Sequence, residues 1–224
     1  MGTEYADVAD EYYDATAHPT IALLRAGSMA ALRMLLPALA ARGEVFAEIG
    51  SGRGGALRAA LPGRDVVSFD LNPSMLVGVP GIAIVADATS LPVLDSAFDG
   101  AFASLCDPYN TRRFLSEARR VLKPDAGLLM TVPNHTWVRH NQAQEGLTDA
   151  AVIIRSTGRV VVPSFVHEPS VQRALLKESG FQSVDVLQVE LADVIAATGI
   201  TSQRLLDDSG RPVSPFIVDA YLAR

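Results

Sequence analysis

Leu32, Leu35, Leu36 and Leu39 recur at i, i+3, i+4 and i+7, the spacing that lines up one face of an amphipathic helix. Pro37 is expected to kink or restart that helix and Gly43 to end it. From 44 to 133 the pattern changes to short, mainly apolar and non-alternating runs: 45–50, 66–71, 82–86, 98–105 and 127–132. Runs of this kind are expected of strands covered by helices on both faces. Between the last two, 112–122 reads as a helix whose apolar positions are Phe114, Leu115, Ala118, Val121 and Leu122. Asn72-Pro73 supplies an N-cap and a proline at the first helical position. Strand alternating with helix predicts a doubly wound parallel α/β sheet.

The alternation breaks at 134–168, where Ala151–Ile154 and Val160–Val162 flank Ser156-Thr157-Gly158 and predict a hairpin. Pro169 opens a helix that Gly180 closes, and two strands, 183–194 and 216–222, complete the chain around a polar loop at Asp207–Gly210. One domain, 1–224, is expected. It would divide into an N-terminal helical lid (1–43), a cofactor-binding half (44–133), an acceptor-side insertion (134–168) and a closing helix and strands (169–224).

The chemistry concentrates where the first strand ends. Val45–Ile49 runs into Gly50, Gly52, Gly54 and Gly55, and a helix-competent segment follows. Glycines permit positive φ, and a helix start offers unsatisfied N–H groups to a ligand. Asp70 ends the next apolar run, roughly 20 residues on, where a ribose-binding carboxylate belongs. The arrangement predicts a nucleoside-cofactor site. The glycines alone satisfy both the dinucleotide fingerprint G-x-G-x-x-G and E/D-x-G-x-G-x-G, the latter led by Glu48.

Composition narrows the partners. Apolar residues make up 49% of the 224, charged residues 20%, and net charge is −6, so nucleic acid is disfavoured as a substrate. The N-terminus is acidic with no apolar signal core, and Arg25, Arg33 and Pro37 interrupt the Leu/Ala-rich segment before any membrane-length run. No membrane partner and a cytoplasmic location are expected. A single cysteine excludes an internal disulfide and a Cys-rich metal site, and no metal is expected.

Four stretches in series, EIGSGRGG, FDLNPSML, VADATSLPVLDSAFDGAF and LSEARRVLKPDAGLLMTVPN, resemble the class I S-adenosylmethionine-dependent methyltransferases. The nearest branch is similar to the small-molecule enzymes that include the ubiquinone/menaquinone-biosynthesis methyltransferases. The resemblance covers 44–133 and extends to Ser179-Gly180-Phe181. It implies a Rossmann-like sheet of seven strands, mostly parallel with the last antiparallel, and S-adenosylmethionine as cofactor with S-adenosylhomocysteine as product. It implies that Glu48 and the backbone at Gly50 and Gly52, with Gly54 in the same turn, face the methionine and ribose. Asp70 would accept both ribose hydroxyls and Leu71 would pack on the adenine. Asp87 would take the exocyclic N–H, the Ala88 N–H a ring nitrogen, and Ser104 would lie near the methionine. The family's K-P-G-G is K-P-D-A-G here, and the segment after Asn72 is short.

Candidates for the rest are less local. Tyr13 is placed to close over the cofactor, and Tyr12, Asp107, Tyr109 and Trp137 to touch the acceptor. Asp107-Pro108-Tyr109 stands where amino-group methyltransferases of nucleic acids carry D-P-P-Y, one proline short. His135, His140 and His167 are the candidate bases, since an imidazole titrates near neutral pH. Cys106 reads as an inert buried thiol, and Asp95 and Asp99 as turn residues. The expected activity is in-line methyl transfer to a small-molecule acceptor. The rivals are a sulfonium-binding cyclase or decarboxylase, a non-catalytic binding protein of the same fold, and a nicotinamide oxidoreductase. Monomer and homodimer stay open.

Overall fold

A computed structural model describes residues 8–9, 11–41, 43–155 and 157–224. Tyr5, counted in the N-terminal lid, and Ser156, in the hairpin turn, lie outside the described residues. Helix α1 (Pro19–Leu39) precedes β1 (Val45–Ile49), α2 (Ala56–Ala60), β2 (Asp65–Asp70), β3 (Ile82–Val85), β4 (Phe98–Ala103), α3 (Arg112–Val121) and β5 (Leu122–Pro133). Then come α4 (His135–Glu145), the β6 (Ala150–Arg155)–β7 (Gly158–Pro163) hairpin, α5 (Pro169–Glu178), β8 (Val184–Glu190), α6 (Leu191–Thr198) and β9 (Phe216–Ala223).

Seven strands form one sheet in the order β3-β2-β1-β4-β5-β9-β8. Neighbours from β3 to β5 pair in parallel, and β9 enters antiparallel between β5 and β8. Order reverses between β1 and β4, which opens a crevice at the carboxyl ends of those strands. Phe114, Leu115 and Leu176 of α3 and α5 pack on one face of the sheet, and Leu23, Leu32 and Val194 of α1 and α6 on the other. This is the expected doubly wound, Rossmann-like α/β fold.

Several elements depart from the sequence pattern. Pro37 does not restart α1, because it falls in the last turn, exposed. The Leu/Ala segment is therefore one continuous helix, of length and hydropathy sufficient to cross a membrane. Its buried face instead lies on the sheet: Gly27 approaches β9 so closely that a Cβ would meet Ile217 at 3.0 Å and Val218 at 3.1 Å. The strand expected over 183–194 stops at Glu190, since Leu191, Val194 and Ile195 fall at helical spacing and pack among the residues under α1. Edge strand β3 is not buried throughout; Ile82 and Val85 are exposed. The hairpin forms a second, two-stranded sheet, with Ile153 opposite Val160. Ahead of it lies α4, which the pattern did not announce. It is capped by Asn134, whose side chain is in turn held by buried Asp219 at 2.9 Å.

Candidate active site

At the carboxyl end of β1 the chain turns through Gly50, Gly52 and Gly54, all at positive φ, and reaches α2 through Gly55. A cavity of 660 Å³ opens above this turn, over the ends of β1, β2 and β4. Glu48, Asp70, Leu71, Asp87, Ala88 and Ser104 all line it.

The carboxylates are held by backbone. Asp70 Oδ2 accepts from the Gly52 N–H and Oδ1 from the Asn72 N–H, both at 2.8 Å. Burial raises the Asp70 pKa and those N–H bonds oppose the rise. Each oxygen keeps a lone pair for a further donor. Asp87 Oδ1 accepts from the Thr89 N–H and hydroxyl, both at 2.8 Å, and these bonds hold its pKa below the usual range without engaging Oδ2. Glu48 is 2% exposed. Its Oε1 accepts from the Leu57 N–H at 3.3 Å, while its Oε2 is buried with no hydrogen-bond partner, and burial raises its pKa. A buried carboxylate oxygen without a partner costs several kcal/mol unless a ligand supplies a donor or a cation. That requirement fits a ligand bearing an ammonium or sulfonium group. Ser104, just past β4, is tied through the Ser28 hydroxyl to Thr131.

The glycines serve a purpose other than ligand approach. A Cβ on Gly50 would stand 2.0 Å from the Tyr109 hydroxyl, and one on Gly52 would stand 2.2 Å from the Tyr13 hydroxyl. The space freed by the missing side chains is filled by these two tyrosines. Tyr109 donates to the Ile49 carbonyl at 2.9 Å, and Tyr13 accepts from the Arg53 N–H at 2.8 Å under the Arg25 guanidinium, 4.1 Å from the ring centre. Both line the first cavity. Tyr109, expected on the acceptor side, is therefore placed on the glycine turn.

A second cavity, of 470 Å³, lies beneath the hairpin and α4. Tyr12 and Leu105 are the only described residues that line both. Leu105 sits at φ 47°, a conformation that costs a bulky residue about 1–2 kcal/mol, and its N–H is fixed on Thr131 Oγ1 at 2.9 Å. Asp107 and Trp137 line the second cavity. Asp107 is 8% exposed, accepts from the Ser164 hydroxyl at 2.7 Å, and burial pushes its pKa to about 7. Trp137 donates its indole N–H to the Arg204 carbonyl at 2.7 Å.

None of the three candidate bases lines either cavity. His135 begins α4 with its backbone N–H on Asp219 at 3.0 Å, and burial lowers the pKa of its ring; His140 and His167 are half-buried beyond the cavity walls. Helical phase explains this: Trp137, Val138, Asn141, Gln142 and Glu145 are the described α4 residues turned to the cavity. The histidine that does line it is His18, 6% exposed, which the sequence reading passed over together with Gln142 and Arg204. His18 abuts Pro19 at the start of α1, the only linear signal it carries. Cys106 is buried with a raised pKa, and Asp99 ties the β1 entry to Lys123, as turn and core residues do. Among the described residues no three His, Cys, Asp or Glu side chains cluster to hold a metal.

Residues 47–130 match the family described as a methyltransferase domain. The segment that carries the glycine turn is thus similar to a methyltransferase domain. No curated protein matches the sequence. Among solved structures, it is similar to Burkholderia thailandensis 1,6-didemethyltoxoflavin-N1-methyltransferase, with bound 1,6-didemethyltoxoflavin and S-adenosylhomocysteine. That match has 18% identity and a TM-score of 0.60, over 100% of this chain and 90% of that one. It is similar to a Methanosarcina mazei S-adenosylmethionine-dependent methyltransferase at 17% identity and TM-score 0.58, over 85% and 96%. The Haemonchus contortus phosphoethanolamine N-methyltransferase 2, in complex with phosphomonomethylethanolamine and S-adenosylhomocysteine, matches at 17% and TM-score 0.59, over 85% of this chain and 51% of that one. The fold is that of S-adenosylmethionine-dependent methyltransferases.

Proposed function

We propose that this methyltransferase binds S-adenosylmethionine in the first cavity and methylates a small organic acceptor held in the second. The observation that carries this reading is the shared wall: Tyr12 and Leu105 border both spaces, so a group at that wall can face an occupant of each. Asp70 would take the ribose hydroxyls on its spare lone pairs. Asp87 Oδ2 and the Ala88 N–H would read the adenine beside Leu71, and Glu48 Oε2 would meet the cationic end near Ser104. Bound there, the sulfonium supplies an electrophilic methyl group and a neutral sulfide as leaving group. The protein's own work is to fix both partners in near-attack geometry and keep water away. Tyr13, over the glycine turn, and the hairpin, over the second cavity, serve that end.

A small acceptor is favoured by a cavity size typical of small-molecule sites and by the net charge of −6, which opposes a polyanion. Two neighbours of the same fold are held with small molecules, 1,6-didemethyltoxoflavin and phosphomonomethylethanolamine. The test is calorimetric titration with S-adenosylhomocysteine. Wild type should bind, and Asp70→Ala should lose about 100-fold, because it removes the ribose acceptor and strands the Gly52 and Asn72 N–H groups. Equal affinity in the two proteins would refute the assignment.

A further inference from the structure

We propose that the second cavity takes an apolar, uncharged acceptor bearing one weakly acidic hydroxyl, a phenol or an enol, and that Asp107 receives that hydroxyl's proton as its oxygen is methylated. This rests on the reading of the first cavity as the cofactor site and names the substrate class of the same reaction.

Position comes first. Asp107 lines the second cavity two residues beyond Leu105, and it is near enough to Tyr12, the other described residue common to both cavities, to help raise that phenol's pKa. The Ser164 hydroxyl at 2.7 Å fixes one oxygen, and Phe165 N–H holds the Asp107 carbonyl at 2.8 Å, so the residue is clamped from the segment that follows β7. The surrounding wall is apolar, with Ile21, Leu24, Val138, Ile153 and Val162. Among the described residues Arg204 is the only arginine or lysine in the lining, and it donates to the Val152 carbonyl at 3.0 Å. A phosphate or carboxylate headgroup would find no basic cluster here, and its desolvation would go uncompensated. His18 Nε2 offers a second polar point: it is buried in this wall without a hydrogen-bond partner, with Glu11 at 3.9 Å. An oxygen neighbouring the reactive hydroxyl would satisfy it.

Chemistry then requires a base. A neutral hydroxyl is a poor nucleophile, and methylation without proton loss would leave an oxonium. In the balanced step the O–H bond breaks toward the Asp107 carboxylate, the oxygen pair forms the O–CH₃ bond, and the S–CH₃ pair departs with sulfur. The groups facing Asp107 are the Tyr12 phenol and the Cys106 thiol, with His18, Glu145 and Arg204 across the cavity. Burial among them brings the carboxyl to about 7, the range in which a base both deprotonates and releases near neutrality.

The experiment uses three probes, 4-cyclohexylphenol, its methyl ether and its phosphate ester, added to the full chain with S-adenosylhomocysteine present. Binding is read by calorimetry and by quenching of Trp137, the only tryptophan, in the cavity wall. At pH 8 the phenol should bind roughly tenfold or more tighter than the ether, the worth of a hydrogen bond to a charged acceptor, and more tightly than the phosphate ester. That preference should fall at pH 5 and vanish in Asp107→Asn. Ser164→Ala, which removes the bond that favours the ionised carboxylate, should move the pH at which the preference appears upward. A phosphate ester that binds as well as the phenol, a preference that survives in Asp107→Asn, or absence of Trp137 quenching by any probe would overturn the proposal. Failure of the cofactor assignment reads differently: S-adenosylhomocysteine gives no heat while the phenol still outbinds its ether.

Discussion

The two cavities are built on opposite principles. In the first, each carboxylate is gripped by backbone N–H groups from nearby chain: Asp70 by residues two ahead and eighteen behind, Asp87 by one two ahead. In the second, the bonds that shape the walls join distant chain: Asp107 to Ser164 across 57 residues, Trp137 to Arg204 across 67, Arg204 to Val152 across 52. The first site is set by strand ends and turn geometry and survives change in the side chains around it. The second is set by how an N-terminal segment, a hairpin and a late loop meet, so it can change its occupant without disturbing the first. Separate construction predicts separable damage.

The largest separation should come from Gly50→Val. The residue sits at φ 64°, and its Cβ would fall 2.0 Å from the Tyr109 hydroxyl. Backbone strain, displacement of Tyr109 from the Ile49 carbonyl and loss of its edge contact with Phe114 together cost on the order of 3–5 kcal/mol. Calorimetry should show S-adenosylhomocysteine affinity falling more than about 100-fold and thermal stability dropping by roughly 10 °C. Quenching of Trp137 by 4-cyclohexylphenol should stay within about twofold, since among the described residues only Tyr12 and Leu105 are common to both walls. A parallel fall in both readings would break the comparison.

A second test sets the buried carboxyl of one cavity against the capped carboxylate of the other, through stability. Asp107 has a folded pKa raised to about 7, above its unfolded value of about 3.9, so between those values the native state holds more protons. Stability is then greatest below the lower value and falls as pH rises toward the upper one, by at most about 4 kcal/mol. Asp107→Asn should therefore melt above wild type at pH 8, and the gap should shrink as pH approaches 4. Asp87 has the opposite sign: its lowered pKa stabilises above the unfolded value, and that contribution is lost as pH falls. Melting curves of Asp107→Asn that lie below wild type at pH 8 would reverse the sign.

The same contrast explains what could be read from the chain. The glycine turn and Asp70 are legible because backbone geometry dictates their spacing, Asp87 through the resemblance of its stretch, and Asn72 because capping is local. Helix α6 was hidden because Val186 to Ile195 is apolar at both periods, and only packing on α1 decides between them. The histidines after β5 were weighed by sequence distance from the sheet edge, whereas the phase of α4 turns Trp137 and Asn141 inward instead. His18 and Arg204 meet the cavity from opposite ends of the chain, and no linear pattern records that meeting.

The smallest effect should fall on one of the two described side chains that resist the division. Tyr12 borders both cavities, lies edge-on to Tyr13 at 5.2 Å, and has its phenol pKa raised by burial, then by neighbouring Tyr13 and Asp107. Tyr12→Phe keeps the ring, and with it the apolar burial and the partition, and removes one hydroxyl. A single hydrogen bond's net worth corresponds to a change of about two- to tenfold, so each affinity should shift by only a few-fold. What distinguishes this variant is that S-adenosylhomocysteine and the phenol probe should both respond, where the variants above move one and spare the other. A shift in one affinity alone would assign the Tyr12 hydroxyl to that cavity and leave Leu105 and its strained backbone as the sole common wall.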